Sequence, residues 1–489
     1  MEDLPTLVKE SVGQGGNVTP PPEIREDDTT AGSTSQNVGD YVVVTRSGRR
    51  PTWASLESRP LPQWFDESKI GIFIHWGLFS VPALHGEDFW NRWDEAKPGS
   101  FYYEFMKKNY PADWTYADFA NQFNTELFNA DQWVQLFQDA GAKYIVFVSK
   151  HKEGFSNWNT NYSFNFNSMA AGPKKDLVGE IASAVRKTDL KLGLYHNWLD
   201  RHNPLFLMDE ASNYTTRVYI KNKAIPELHE LINTYKPDLL WSDGTLRGTE
   251  EYYTCKEFLA WLYNESPVKD TIIVNDRWAD GTACQHGGYF TCKDRYNPKV
   301  LQKRKWESCN TLQNSWGYRR DADLLNFLTI KSILTTLAQV VSCGGNYLLN
   351  VGPTHDGRIL PIFEERLRQM GAWLKVNGEA VYASSPWRYQ NDTTSESVWY
   401  TQKKSNSSSG YSVYAFVLEW PENNKLTLGS PIATPTTTIC MLGYSDVNQY
   451  FEYSRRRDGA GLVVKFPYIP PNKLPSFYAW VLKLDNLGN

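Results

Sequence analysis

Polar and ionisable residues recur beside tryptophan or tyrosine at the ends of short apolar runs. Five such ends are Ile74-His75-Trp76, Ser149-Lys150-His151-Lys152-Glu153, Tyr195-His196-Asn197-Trp198, Trp241-Ser242-Asp243-Gly244 and Asn275-Asp276-Arg277-Trp278, and Lys305-Trp306-Glu307 follows further on. If the runs are strands of a barrel, these residues point into its mouth, where catalysis is done. Two carboxylates stand out. Cleavage of a glycosidic bond needs one carboxylate as nucleophile and a second as acid and base. An aromatic neighbour such as Trp306 would desolvate Glu307 and keep it protonated as the acid. Hydrogen bonds and a nearby cation would keep Asp243 ionised as the nucleophile. Each acid could equally cap a helix or pair with an arginine, and spacing alone does not select the pair.

Other chemistries find little support. The eight histidines form no H-x-x-x-H or H-E-x-x-H pattern, so no metal is expected. G-x-S-x-G and the phosphate-binding G-x-x-x-x-G-K-[ST] are absent. A net charge of −4 argues against a nucleic-acid partner, and no apolar run is long enough to span a membrane. Aromatic residues reach 14%, which suits a core of large side chains and also a sugar-binding cleft. Cys284 and Cys292 flank Gly287-Gly288, and a short disulfide there requires an oxidising compartment. Sequons begin at Asn17, Asn161, Asn213, Asn264, Asn391 and Asn406, whereas Met1-Glu-Asp-Leu-Pro carries no visible signal peptide.

The elements that must position these groups follow from texture. Residues 1–50 are poor in aromatics and rich in Gly, Ser, Thr, Pro and acids, which predicts a disordered tail. Over residues 51–378, apolar runs at 71–75, 144–149, 191–196, 239–242, 271–275 and 346–350 alternate with helical patterns at 130–140, 177–187, 226–235, 255–263, 324–341 and 364–376. Such alternation predicts a parallel sheet covered by helices, and its length suits an α/β fold of the (β/α) TIM-like barrel type. A doubly wound sheet is the alternative, but no G-x-G-x-x-G follows the first run. Residues 379–489 hold about six short runs separated by turn residues, which predicts a C-terminal antiparallel β-sandwich. Such an appended domain is expected to pack on the barrel rather than to bind sugar.

Several local strings carry a family likeness: Trp64–Lys69 (WFDESK), Gly71–Gly77 (GIFIHWG), Tyr235–Gly244 (YKPDLLWSDG), Val274–Trp278 (VNDRW), Ser315–Arg320 (SWGYRR) and Gly344–Thr354 (GGNYLLNVGPT). From about Trp53 to Leu484 the chain resembles the α-L-fucosidases of glycoside hydrolase family 29, of the animal tissue and plasma type. The resemblance implies a barrel followed by a sandwich, and hydrolysis of terminal α-L-fucose from glycans with retention and no cofactor. It implies Asp243 as nucleophile and Glu307, in K-W-E, as acid/base. The implied sugar contacts are His75, Glu87, His151, Tyr195, His196, Trp241, Arg277 and Trp316. Its partners would be fucosylated glycans, its location lysosomal or secreted, and a homo-oligomer falls within family habit.

Three departures from the family pattern bear on activity. Lys152 stands where K-H-H-E-G-F has its second histidine, and Asp88 where S-E-W-F-W has its first tryptophan. A lysine only donates hydrogen bonds, and its charge opposes an oxocarbenium-like transition state. Asp88 is expected to pair with Lys152. The third departure is the segment Asn197–His202 (NWLDRH), where the family's hydrophobic pattern differs. The competing expectation is therefore a weak or inactive relative that binds fucosylated glycans. A retaining hydrolase of another 6-deoxy sugar is the remaining reading.

Overall fold

The computed structural model describes residues 48–245, 247–405, 410–446, 449–456 and 461–489. The expected tail therefore lies almost wholly outside the described residues, as do the sequons at Asn17 and Asn406. Seven strands, β1 (Ile70–Ile74), β2 (Tyr144–Lys150), β3 (Lys191–Asn197), β4 (Leu239–Asp243), β5 (Ile273–Val274), β6 (Trp306–Thr311) and β7 (Gly345–Val351), form one parallel sheet. Its order is β5-β4-β3-β2-β1-β7-β6. Both faces are buried, which is why these strands read as continuous apolar runs. Ile70, Ile72, Ile145, Phe147, Leu192 and Leu194 pack outward in the core shared with the helices. Phe73, Val146, Val148, Tyr195, Trp241 and Leu348 pack inward. The curled sheet closes through Tyr289 and Phe290. The Tyr289 amide donates to Val274 at 3.1 Å, Phe290 to Lys305 at 2.9 Å, and Glu307 to Phe290 at 2.8 Å, so this segment fills the place of an eighth strand. A side chain at Gly71 would come within 2.4 Å of the Tyr144 ring inside the barrel.

The helices at Ala130–Asp139, Leu177–Val185, Ile225–Tyr235, Cys255–Asn264, Ile330–Ser342 and Pro361–Asn377 follow the predicted pattern with one change of start. The helix expected from residue 324 begins at Ile330. The Thr329 hydroxyl caps it by accepting from the Ser332 amide, and Leu324–Asn326 is a separate turn of 3-10 helix capped by Asp323. Strand β6 carries the sequence WESCNT, which lacks the apolar run that betrays its neighbours. Trp306 and Glu307 therefore open a strand, where the sequence suggested the end of one.

Beyond the barrel lie β8 (Ser385–Asn391), β9 (Val398–Lys404), β10 (Tyr411–Val417), β11 (Lys425–Leu428), β12 (Ala433–Met441), β13 (Glu452–Arg455), β14 (Leu462–Lys465) and β15 (Trp480–Leu487). They form antiparallel sheets ordered β12-β15-β10-β9-β8 and β11-β14-β13. Trp387, Val413, Ile439, Val464 and Leu482 fill the space between them. Trp399, Phe416 and Val481, on the opposite face, join the main core. The Trp373 indole donates to the Ala479 carbonyl at 2.9 Å, and the Thr401 hydroxyl to Ala380 at 2.7 Å. The sandwich thus packs on the barrel's helices.

Candidate active site

A cavity of about 460 Å³ opens at the C-terminal ends of the barrel strands. Its floor is Trp241, two residues before the end of β4, with the Tyr195 ring stacked beside it and the Arg277 guanidinium 4.7 Å above it. Asp243 closes the same strand. Its Oδ2 accepts from the Tyr195 hydroxyl at 2.8 Å and from the Asn197 amide at 3.4 Å, and its Oδ1 lies 3.7 Å from Arg277 Nη1. The strand ends are tied together: the Ser242 amide donates to the Asn275 side chain, which returns a bond to the Ser242 carbonyl. The aim of Asp243 is thereby fixed by backbone as well as by side chains. Burial and the Asp243 charge raise the Tyr195 phenol well above its ordinary value, so it stays a donor.

On the opposite wall, His75 and Trp316 share one organiser. The Asn350 amide nitrogen donates to the Thr311 hydroxyl and the Trp316 carbonyl, which leaves its oxygen to accept from His75 Nδ1 at 2.8 Å. Burial, then the neighbouring His151, hold His75 well below its usual range. A neutral ring with its proton on Nδ1 offers Nε2 as an acceptor for a hydroxyl. Glu87 accepts from the Gly317 amide at 2.9 Å and from Ser315, which holds it beside Trp316. His151 lines the same wall. Lys152 pairs with Asp88 across the rim, as the sequence suggested. Burial alone would raise the Asp88 carboxyl, but Lys152 brings it below its ordinary value. The lysine charge is thus matched within the cavity wall.

Seven of the eight proposed sugar contacts and Asp243 come together here. His196 does not. It alternates to the other face of β3, where its Nδ1 meets the Ser149 hydroxyl at 3.0 Å and its Nε2 lies 3.8 Å from Glu227. There Glu227 bridges Lys150 and Lys223 at 3.0 Å each, a fully buried cluster that braces β2 and β3. Burial and Lys150 push His196 well below its ordinary value.

Glu307 is not delivered to the cavity either. It is the second residue of β6, whereas Asp243 is the last of β4. Thr311, four residues on, ends the strand, so Glu307 sits roughly 13 Å below the strand end. Its side chain has no exposure. The carboxylate accepts from the Tyr144 hydroxyl at 2.6 Å, the Trp241 indole at 3.0 Å and the Tyr289 hydroxyl at 3.3 Å. Burial pushes it up to about 7 against the lowering effect of those three donors. That value suits an acid, but an acid must also reach the bond it protonates.

Of the carboxylates that share the cavity with Asp243, the one held to the same arginine is Asp294, which the sequence did not single out. Arg277 Nη1 donates to Asp294 Oδ1 at 2.8 Å. Since the same nitrogen lies 3.7 Å from Asp243, the two carboxylate oxygens are no farther apart than those distances added. This bound includes the about 5–5.5 Å of retaining glycosidases and only reaches the lower edge, about 6.5 Å, of the inverting range. Burial opposes the Arg277 charge, but Cys309, Asp294 and Asp243 raise it above its usual value, so the clamp is permanent. Asp294 arrives on a loop built by Asp276, whose carboxylate accepts from the amides of Cys284, Thr291 and Cys292. The Cys284–Cys292 disulfide closes that loop two residues before Asp294.

Two carboxylates converging on one arginine above an indole floor, at the mouth of a parallel barrel, define a glycoside hydrolase. The family model for alpha-L-fucosidase matches residues 40–379, and that for the alpha-L-fucosidase C-terminal domain matches residues 390–485. An alpha-L-fucosidase of Branchiostoma floridae is 52% identical over 89% of this chain and 96% of its own length. Human tissue alpha-L-fucosidase is 49% identical over 89% and 92%. The Thermotoga maritima alpha-fucosidase solved in complex with fucose superposes with a TM-score of 0.73 at 30% identity, covering 89% of this chain and 99% of that one. The chain belongs to the alpha-L-fucosidase family.

Proposed function

We propose that the chain hydrolyses terminal α-L-fucose from glycans by double displacement, with Asp243 as nucleophile and Asp294 as acid/base. The carrying observation is the pair of carboxylates held by one Arg277 nitrogen in an aromatic cavity. Asp243 attacks the anomeric carbon as Asp294 protonates the leaving oxygen, giving a covalent fucosyl-enzyme. Asp294 then takes a proton from water as the water attacks, and the sugar leaves with its configuration retained. His75, Glu87, His151, Tyr195 and Arg277 supply donors and acceptors for the sugar, and Trp241 and Trp316 supply faces for its apolar side. Glu307 holds the Trp241 floor. The barrel, residues 51–378, carries the chemistry, and residues 379–489 buttress it. The Cys284–Cys292 disulfide supports a lysosomal or secreted location, and exposed sequons at Asn161 and Asn213 support glycosylation there.

The test is release of p-nitrophenol from p-nitrophenyl α-L-fucoside between pH 4 and 8, with Asp243→Gly as control. Turnover abolished in the control is the expected result; no turnover above the control sinks the reading.

A further inference from the structure

We infer that a second cavity, beside the catalytic one on the barrel's mouth face, is a subsite for a neutral sugar neighbouring the fucose in the same glycan. The inference rests on the fucosidase reading above. The cavity measures about 540 Å³. Trp90 enters it from the segment after β1, Glu153 and Phe164 from that after β2, and Asp200 and His202 from that after β3. Its wall toward the catalytic cavity is shared. Asp88 and Lys152 face the catalytic side, while Trp90 and Glu153, their near neighbours in the chain, face the second cavity. Glu153 Oε2 lies 3.5 Å from Nδ1 of His151, which lines the catalytic side.

The chemistry of the lining selects the occupant. Glu153 is only 4% exposed, yet its Oε2 accepts no hydrogen bond. Asp200 is equally buried, with Lys223 3.6 Å away as its cation. His202, brought down to about 4 by burial, is neutral, and its Nε2 has no partner. Buried carboxylates are normally hydrogen-bonded, so Glu153 and Asp200 leave this lining rich in acceptors. No group of three His, Cys, Asp or Glu among the described residues is arranged to hold a metal. Lys223 already supplies positive charge behind Asp200, and burial raises that carboxyl above its ordinary value. Neutral hydroxyls meet the remaining demand. Phe164, in the same lining, is 88% exposed, and its ring is free to cover the apolar face of a pyranose. Hydroxyl donors and a C–H face together describe a sugar, and the shared wall makes it a neighbour of the fucose.

The full chain and its Phe164→Ala and Phe164→Trp variants would be compared on p-nitrophenyl α-L-fucoside and on a branched oligosaccharide whose fucosylated residue carries a further neutral sugar. We expect Phe164→Ala to lower kcat/KM on the oligosaccharide by about five-fold or more while leaving the aryl fucoside within about two-fold, and Phe164→Trp to restore it. An equal loss on both substrates, or none on the oligosaccharide, overturns the proposal. The defucosylated oligosaccharide is also expected to bind in saturation-transfer NMR with free fucose filling the catalytic cavity. No binding, or binding that Phe164→Ala leaves intact, overturns it as well. Should the parent chain fail on the aryl fucoside, the fucosidase reading fails, and the binding experiment still judges the subsite by itself.

Discussion

The choice between Asp294 and Glu307 as acid/base can be decided by two isosteric changes. General acid–base catalysis contributes about 10²–10⁴-fold. Asp294→Asn is therefore expected to lose that much on fucosides with poor leaving groups, and much less on dinitrophenyl fucoside, whose leaving oxygen needs little protonation. Azide should rescue this variant and yield the α-fucosyl azide, because a small anion can enter where water no longer finds its base. Glu307→Gln is a different perturbation. Below about pH 7 the buried Glu307 carboxyl is neutral. A glutamine reproduces the neutral acid: its oxygen accepts from the Trp241 indole, and its amide donates toward the Tyr144 or Tyr289 oxygen. One imperfectly met partner in that group costs about 1–3 kcal/mol, mostly in stability. At pH 5 we expect kcat/KM of Glu307→Gln within about ten-fold of the parent on every leaving group, since 1.4 kcal/mol of misplaced floor is about ten-fold in rate. A loss of about 100-fold or more in Glu307→Gln, steeper for poor leaving groups and rescued by azide, would refute the geometric argument.

Three further outcomes follow from the same geometry. The folded-state value of Glu307, about 7, lies above an unfolded value of about 4.3, so the folded chain holds an extra proton between them. Its stability is full below pH 4.3 and falls by on the order of 3 kcal/mol as pH rises to 7; denaturant melts at pH 4.5 and 7 should show this slope and Glu307→Gln should flatten it. Replacing both Cys284 and Cys292 by serine opens a bridge spanning eight positions in the chain, which should cost about 2–3 kcal/mol in melts and slow turnover of poor leaving groups by loosening the loop that carries Asp294. Lys152→Met and Asp88→Asn should each raise KM for p-nitrophenyl α-L-fucoside, with the double variant better than the two effects combined, by a coupling of about 0.5–1 kcal/mol for this partly exposed pair.

Much of the site was legible because β1 to β4 are continuous apolar runs. Where such a run stops, one of the first few polar side chains stands at the mouth, as His75, His151 and Asp243 do. At the third strand the period of two separates neighbours: Tyr195 faces the cavity, so His196 faces the helices, where it meets Glu227. Asn350 left a trace as well, one residue before the end of β7, but its role depends on Thr311 and Trp316, more than thirty residues away.

That Asp294 and not Glu307 lines the cavity has a more general cause. A tryptophan beside a carboxylate signals desolvation, and desolvation raises the carboxyl whether it lines a cavity or lies sealed beneath one. The neighbour therefore reports environment, not access. Access depends on depth along the strand, and β6 hides its start because Glu307, Ser308 and Asn310 interrupt any apolar run. Asp294 has the opposite problem. Nothing in Cys292-Lys293-Asp294 distinguishes it from a surface acid until Asp276 gathers the amides of Cys284, Thr291 and Cys292 and folds the loop back over the barrel mouth. Strand-end groups are set by local periodicity, which one sequence contains. A group delivered by a loop is set by contacts between distant segments, and here those contacts converge on Arg277, the residue that also holds Asp243.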